Sequence, residues 1–274
     1  MDRAAFSMAA ANVLHSKSTH WRHLKIGEFG MKTLRKIILP FALLLLSGSA
    51  IFGADNSAPT EKTFDAPNDL KVSVKMIGPY SEPADLQIIC LFQHKSSGDT
   101  YQGAAKDTDE HLNGLLSALR NRGEFVGELG ETILFTPANG SIPAKRFMVI
   151  GLGKEKDLSL DALHLVGRVA AREAVRLQAK HVAWAPVVRD QGNTTLDVGQ
   201  GDRAFIEQML SAYDTEKRLQ AQKLAPLFNI ETVVIEAGSA YFEGAAKLVS
   251  EGIKSMATEI AKRSGAPYTP TKTE

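Results

Sequence analysis

Short strand-patterned segments alternate with long amphipathic stretches from Leu70 to Arg263, and few architectures accommodate that alternation. A strand that must bury its faces and a helix that must bury one stripe find each other most readily as helices laid on a sheet. Leu70–Met76 places apolar residues at every second position, the period of a strand with one wet face. Leu86–Phe92 is apolar almost throughout and reads as a buried strand. Glu131–Phe135, Lys145–Gly151, His181–Pro186 and Glu231–Glu236 follow, the last with Val233, Val234 and Ile235 fully inside. The link 136–144 between the third and fourth of these is too short for a crossover helix, so that pair is expected to be antiparallel. The expected fold is α/β: a three-layer domain with a mixed β-sheet flanked by helices, and with Val149, Ile150, Leu163, Val234 and Ile253 in its core.

The helices are read from their stripes. Leu112, Leu115, Leu116 and Leu119 recur at helical spacing after an acidic stretch in which Asp107 and Glu110 have the spacing of a capping box. Residues 160–178 carry Leu163, Val166, Gly167, Ala170, Ala174 and Leu177 on one side, with Ser159 as N-cap. The small residues there suit close approach to a sheet. A third helix is expected from Asp202 to Leu224, with Phe205, Met209, Leu210 and Tyr213 inward. A fourth, capped by Ser239, carries Phe242, Ala245, Val249, Gly252, Ile253, Met256 and Ile260.

The ends read differently. From Met31, the basic residues Lys32, Arg35 and Lys36 precede the apolar run Ile37 to Leu46 and the small residues Ser47-Gly48-Ser49-Ala50. That run is shorter than the roughly 20 residues a membrane span needs, and it has the order of a secretory signal. Residues 31–54 are therefore expected to be removed, leaving a periplasmic or secreted protein with no membrane span. Residues 1–30 show neither pattern and are read as an extension ahead of the physiological start at Met31. Residues 55–69, polar with Pro59 and Pro67, are expected to be a flexible lead-in, and residues 264–274 a disordered tail.

Removing residues 1–54 takes away seven of the 32 Lys and Arg and two of the 31 Asp and Glu, moving the formal charge from +1 to about −4. No basic field then remains to hold a phosphate backbone, so nucleic acid is not an expected partner. The one cysteine, Cys90, lies in an apolar strand and reads as a packing residue.

No motif announces chemistry. Gly151-Leu152-Gly153-Lys154 follows a strand but has neither a third glycine at dinucleotide-binding spacing nor a Gly-Lys-Ser/Thr ending. Asp107, Asp109, Glu110 and His111 point different ways at a helix start, and His94, His111, His164 and His181 are scattered. A Gly-x-Ser-x-Gly elbow is absent. No catalytic, cofactor-binding or metal-binding residue is assigned. The polar loops 94–108 and 187–201 are the expected ligand or partner surfaces.

Several stretches together resemble one family. They are Gly103-Ala104-Ala105, Phe125-Val126-Gly127-Glu128-Leu129-Gly130-Glu131-Thr132, the run Ile142 to Lys154, Leu160 through Ala171, and Gly201 to Lys217 with Ala212-Tyr213-Asp214. In this order they resemble the N-terminal domain of the leucyl aminopeptidases, peptidase family M17, over roughly residues 70–260. The resemblance implies a macro-like domain. Members of the family continue into a catalytic domain with a metal-binding lysine, acidic ligands and an Asn-Thr-Asp-Ala-Glu-Gly-Arg motif. Those residues have no counterparts here, and Arg263-Ser264-Gly265-Ala266-Pro267 does not match the family's linker. The expectation is a stand-alone, non-catalytic binding or assembly module, with self-association, a protein partner or a small-molecule ligand as its business. The alternatives are one component of an aminopeptidase whose catalytic chain is separate, and a macro-like nucleotide-binding module.

Overall fold

A computed structural model describes residues 60–263. The expected signal at 31–54, the expected extension at 1–30 and the expected tail at 264–274 lie outside the described residues. The sheet contains β1 (Glu61–Asp65), β2 (Lys71–Lys75), β3 (Leu86–Leu91), β4 (Thr132–Phe135), β5 (Phe147–Gly151), β6 (His181–Ala185) and β7 (Thr232–Glu236). The helices are α1 (Gly103–His111), α2 (Leu115–Asn121), α3 (Leu160–Arg176), α4 (Val198–Ala221) and α5 (Phe242–Ala261). Strand order is β1-β2-β7-β6-β3-β5-β4, parallel from β2 to β5 and antiparallel at both edges. The mixed sheet and the antiparallel β4–β5 pair are as expected.

Alternation within the strands divides the core in two. Leu86, Ile88 and Cys90 of β3, Val182 and Trp184 of β6, and Val233 and Ile235 of β7 face α3, α4 and α5. Trp184 stacks on Phe205 of α4 at 3.9 Å between ring centroids. The opposite positions, Ile89, Leu91, Ala183, Ala185 and Val234, face α1, α2 and loops. Val149, Ile150, Leu163, Val234 and Ile253 are all buried. Among the described residues, no helix is long and apolar enough to cross a membrane.

Several local expectations are corrected. The lead-in 55–69 contains β1, whose Phe64 packs on the core and whose Thr63 hydroxyl meets that of Ser73 at 2.7 Å. One apolar residue among charged ones was too weak a signal for an edge strand. The leucine stripe belongs to a region that breaks in two, because Asn113 and Gly114 adopt left-handed backbone conformations. Asp107 is no cap: α1 starts four residues earlier, and Asp190 Oδ2 accepts from Ala105 N at 3.1 Å. Asp109 instead turns inward and accepts from Leu116 N at 2.8 Å, holding the start of α2. Ser159 does occupy the N-cap of α3, though its side chain makes no capping bond; Tyr241 rather than Ser239 occupies the N-cap of α5, and α4 begins at Val198 behind Asp197, which accepts from Gln200 N at 2.8 Å. Gly167 serves a helix contact, not the sheet. A Cβ there would lie 2.2 Å from Phe205 O of α4.

Candidate ligand-binding cleft

The parallel strands all end on one edge, and the chain leaving β2, β6 and β7 there encloses a cleft of about 450 Å³. That volume suits a small organic ligand. Met76 to Tyr80 form the wall beyond β2, Ala185 to Asp190 the wall beyond β6, and Glu236 to Ser239 with Tyr241 the wall beyond β7. Ala104 and Asp107 of α1 and Val198 of α4 complete it. The lining is largely apolar, with a few charged side chains among it.

The segment beyond β6 is tied down at both ends. Gln191 Nε2 donates to Cys90 O at 2.9 Å and Val187 O at 3.1 Å, while its Oε1 accepts from Phe92 N at 2.8 Å. Arg189 donates to the carbonyls of Asn193 at 3.0 Å and Leu196 at 2.6 Å. Within this frame Val187 is held at φ 42°, a left-handed conformation costly for a β-branched residue. Such strain persists only where the surroundings over-determine it.

Two carboxyls in the lining are pushed toward their neutral forms. Burial raises Glu236 well above the ordinary carboxylate range; Glu82 adds to this, while the hydrogen bond from Gln87 and the charge of Lys75 oppose it. Gln87 Nε2 donates to Glu236 Oε2 at 2.8 Å, and Glu236 Oε1 has no partner among the described residues. Lys75 Nζ is engaged by Glu82 at 2.9 Å. Burial likewise raises Asp190; Asp107 adds to this, and the backbone amides of α1 oppose it. On the far face of the sheet, Asp202 of α4 is buried with neither carboxyl oxygen partnered among the described residues, and desolvation raises it well above its ordinary value.

Of the expected surfaces, loop 187–201 does contribute to the cleft. Loop 94–108 divides: Ala104 and Asp107 reach the cleft, but the 94–101 part closes on itself. Asp99 receives Arg120 Nε at 2.6 Å and Nη2 at 3.2 Å, with His94 Nδ1 at 3.0 Å, while Arg120 Nη2 also donates to Phe92 O at 2.7 Å. Burial raises Asp99, but Arg120 and His94 outweigh it and hold the carboxyl below its usual range. The walls 76–80 and 236–241 were not anticipated. Their signals were a Gly-Pro break after β2 and a lone glutamate closing an apolar strand.

The other sequence candidates are engaged structurally. The amides of Gly151, Leu152 and Gly153 are spent on Glu131 O, Leu91 O and Gly127 O at 2.8, 2.9 and 3.0 Å, so that turn offers no cradle for a phosphate. His111 stacks on Tyr80 at 4.5 Å and Glu110 pairs with Lys106 at 3.0 Å. Among the described residues, no three His, Cys, Asp or Glu side chains are grouped to hold a metal ion.

Residues 88–218 match the model of the cytosol aminopeptidase family, N-terminal domain. A probable cytosol aminopeptidase of Thermosynechococcus vestitus is 30% identical over 154 residues, covering 55% of this chain and 30% of the relative. One from Alkaliphilus oremlandii is 37% identical over 118 residues, covering 43% and 23%. The chain thus spans well under half the length of the curated relatives it matches. In structure it is similar to a tomato leucine aminopeptidase variant, with TM-score 0.52, 20% identity, and coverage of 72% of this chain and 37% of the other. It is also similar to an Oceanobacillus iheyensis macrodomain solved with ADP, with TM-score 0.51, 11% identity, and coverage of 73% and 97%. These likenesses show a macro-like fold.

Proposed function

Because residues 88–218 carry the N-terminal domain of the cytosol aminopeptidase family, we propose that this chain is an exported, non-catalytic binding module whose ligand seat is the cleft at the carboxyl edge of the sheet. One observation carries the reading: the cleft is built at the ends of three separate strands and has room for a small organic ligand. In open α/β sheets, ligands bind outside the carboxyl ends of the strands. Peptide hydrolysis by such a chain would need metal ligands from elsewhere, because the acidic and histidine side chains of residues 60–263 are dispersed. The order of residues 31–54 supports export.

The related fold of a macrodomain solved with ADP makes ADP the first nucleotide to offer. Full-length protein is titrated with ADP, ADP-ribose and a set of small polar metabolites while its melting temperature is followed. A ligand that raises the melting temperature and shifts the backbone amide signals of residues 187–190 and 238–239 supports the cleft. A ligand whose shifts fall only outside it contradicts the cleft. Expression from Met31 should yield a product about 20–24 residues shorter outside the cytoplasm. An intact N-terminus found only inside the cell contradicts export.

A further inference from the structure

The two edges of the sheet are finished differently. β1 closes one side with Glu61, Lys62 and Asp65, charges of the kind that keep an edge from pairing with another chain. β4 closes the other side with Thr132, Ile133, Leu134 and Phe135, and carries neither a charge nor a proline. Its outer main chain is open. Glu131 C=O accepts from Gly151 N at 2.8 Å, and Ile133 and Phe135 stand opposite Val149 and Phe147. In an antiparallel ladder each residue turns both main-chain groups to one side, and successive residues alternate. Thr132 and Leu134 therefore direct their N–H and C=O groups away from β5, where they have no partner among the described residues.

The surface beside these groups is apolar. Leu134 is 37% exposed, and Val126 and Leu129, in the chain leading into β4, are 38% and 54% exposed. That chain is fixed in place: the Glu131 carboxylate accepts from the amides of Val126, Gly127 and Glu128 at 3.1, 2.6 and 2.9 Å. We propose that two copies of this chain join through β4, antiparallel across a two-fold axis at Ile133. Thr132 of each copy then faces Leu134 of the other, and each such pair exchanges both of its main-chain bonds, so every outward group is met. Near a two-fold axis a charged residue opposes its own copy, and residues 132–135 bring no such conflict. β4 gives a foreign strand no charge to recognise, whereas its own copy fits it by symmetry. The contact closes at two copies, because the edges left outermost are the charged β1 strands. β3 and β5 separate β4 from the strands that bound the cleft, so the pairing stands or falls independently of the cleft.

Sedimentation equilibrium of the full-length protein over a range of concentrations tests the proposal, and a monomer–dimer equilibrium is the expected result. Leu134→Lys sets like charges on both sides of the axis at an exposed position. It should raise the dimer dissociation constant at least about tenfold while the chain stays folded by circular dichroism. Thr132→Pro removes one outward N–H and no bond to β5, and should weaken the dimer likewise. Ile133→Cys should form an intermolecular disulfide under mild oxidation, since a non-hydrogen-bonded antiparallel pair sets its two Cα atoms about 4.5 Å apart. The native Cys90 is buried and does not compete. A chain that stays monomeric throughout the series overturns the proposal, as does a dimer that both Leu134→Lys and Thr132→Pro leave intact. Slow hydrogen exchange of the Thr132 and Leu134 amides in the monomer also overturns it, by showing the edge already covered by another segment of the chain.

Discussion

Gln87 Nε2 donates to Glu236 Oε2 at 2.8 Å, joining β3 to β7 above the intervening β6. The two side chains can meet because the β6 residues that lie between them on that face, Ala183 and Ala185, are small. Burial raises the Glu236 carboxyl, so folding favours its protonated form. The stability this group contributes is present below its unfolded pKa and is lost as pH rises toward the folded value. Glu236→Gln should therefore raise the melting temperature, with the gain larger at pH 8 than at pH 4.5. A gain independent of pH would show that the carboxyl is ionised in the fold.

Asp99 has the opposite sign. Its folded pKa is depressed, so its contribution is present above the unfolded value and is lost as pH falls through the folded one. Arg120 has a side chain only 2% exposed, and removing it takes from Asp99 its buried guanidinium partner and from Phe92 O its donor. Arg120→Ala should cost about 3–5 kcal/mol in denaturant unfolding at neutral pH, with a smaller cost below pH 3. An equal cost at both pH values would mean that packing alone is lost.

Val234 lies inside the sheet, paired with Ser73 on one side and Ala183 on the other. Val234→Asp places an uncompensated carboxyl there and should cost more than about 4 kcal/mol, abolishing the cooperative thermal transition. Retention of that transition would show that β7 is misplaced.

Gly167→Ala should loosen the α3–α4 contact, since the new Cβ would lie 2.2 Å from Phe205 O. The expected cost is about 1–3 kcal/mol, read by thermal or denaturant melting. A neutral result would show that the two helices separate freely.

The sheet was legible because its strands are long enough to show period and its core residues are strongly apolar. Val233 to Ile235 and Leu86 to Phe92 left little choice. β1 was not legible, since an edge strand needs to bury only Phe64. The break between α1 and α2 depends on Asn113 and Gly114 leaving the helical region, and the regular leucine spacing concealed it. The cleft was half legible. Loop 187–201 was visible as polar chain between buried elements. Glu236 was not, because its surroundings come from Gln87 and Lys75, distant in sequence and brought near only by strand order. No local pattern encodes that order.

Ser239 is exposed at the mouth of the cleft, where a large ring can occlude the opening without disturbing the core. The most direct test is the calorimetric affinity of wild-type and Ser239→Trp protein for whichever small molecule binds the full-length chain, with melting temperatures as the control for folding. The expected result is a loss of at least about tenfold in affinity with an unchanged melting temperature, as a ligand in a concave pocket requires. Undiminished binding to the folded variant would place the ligand elsewhere and contradict the cleft as the functional site.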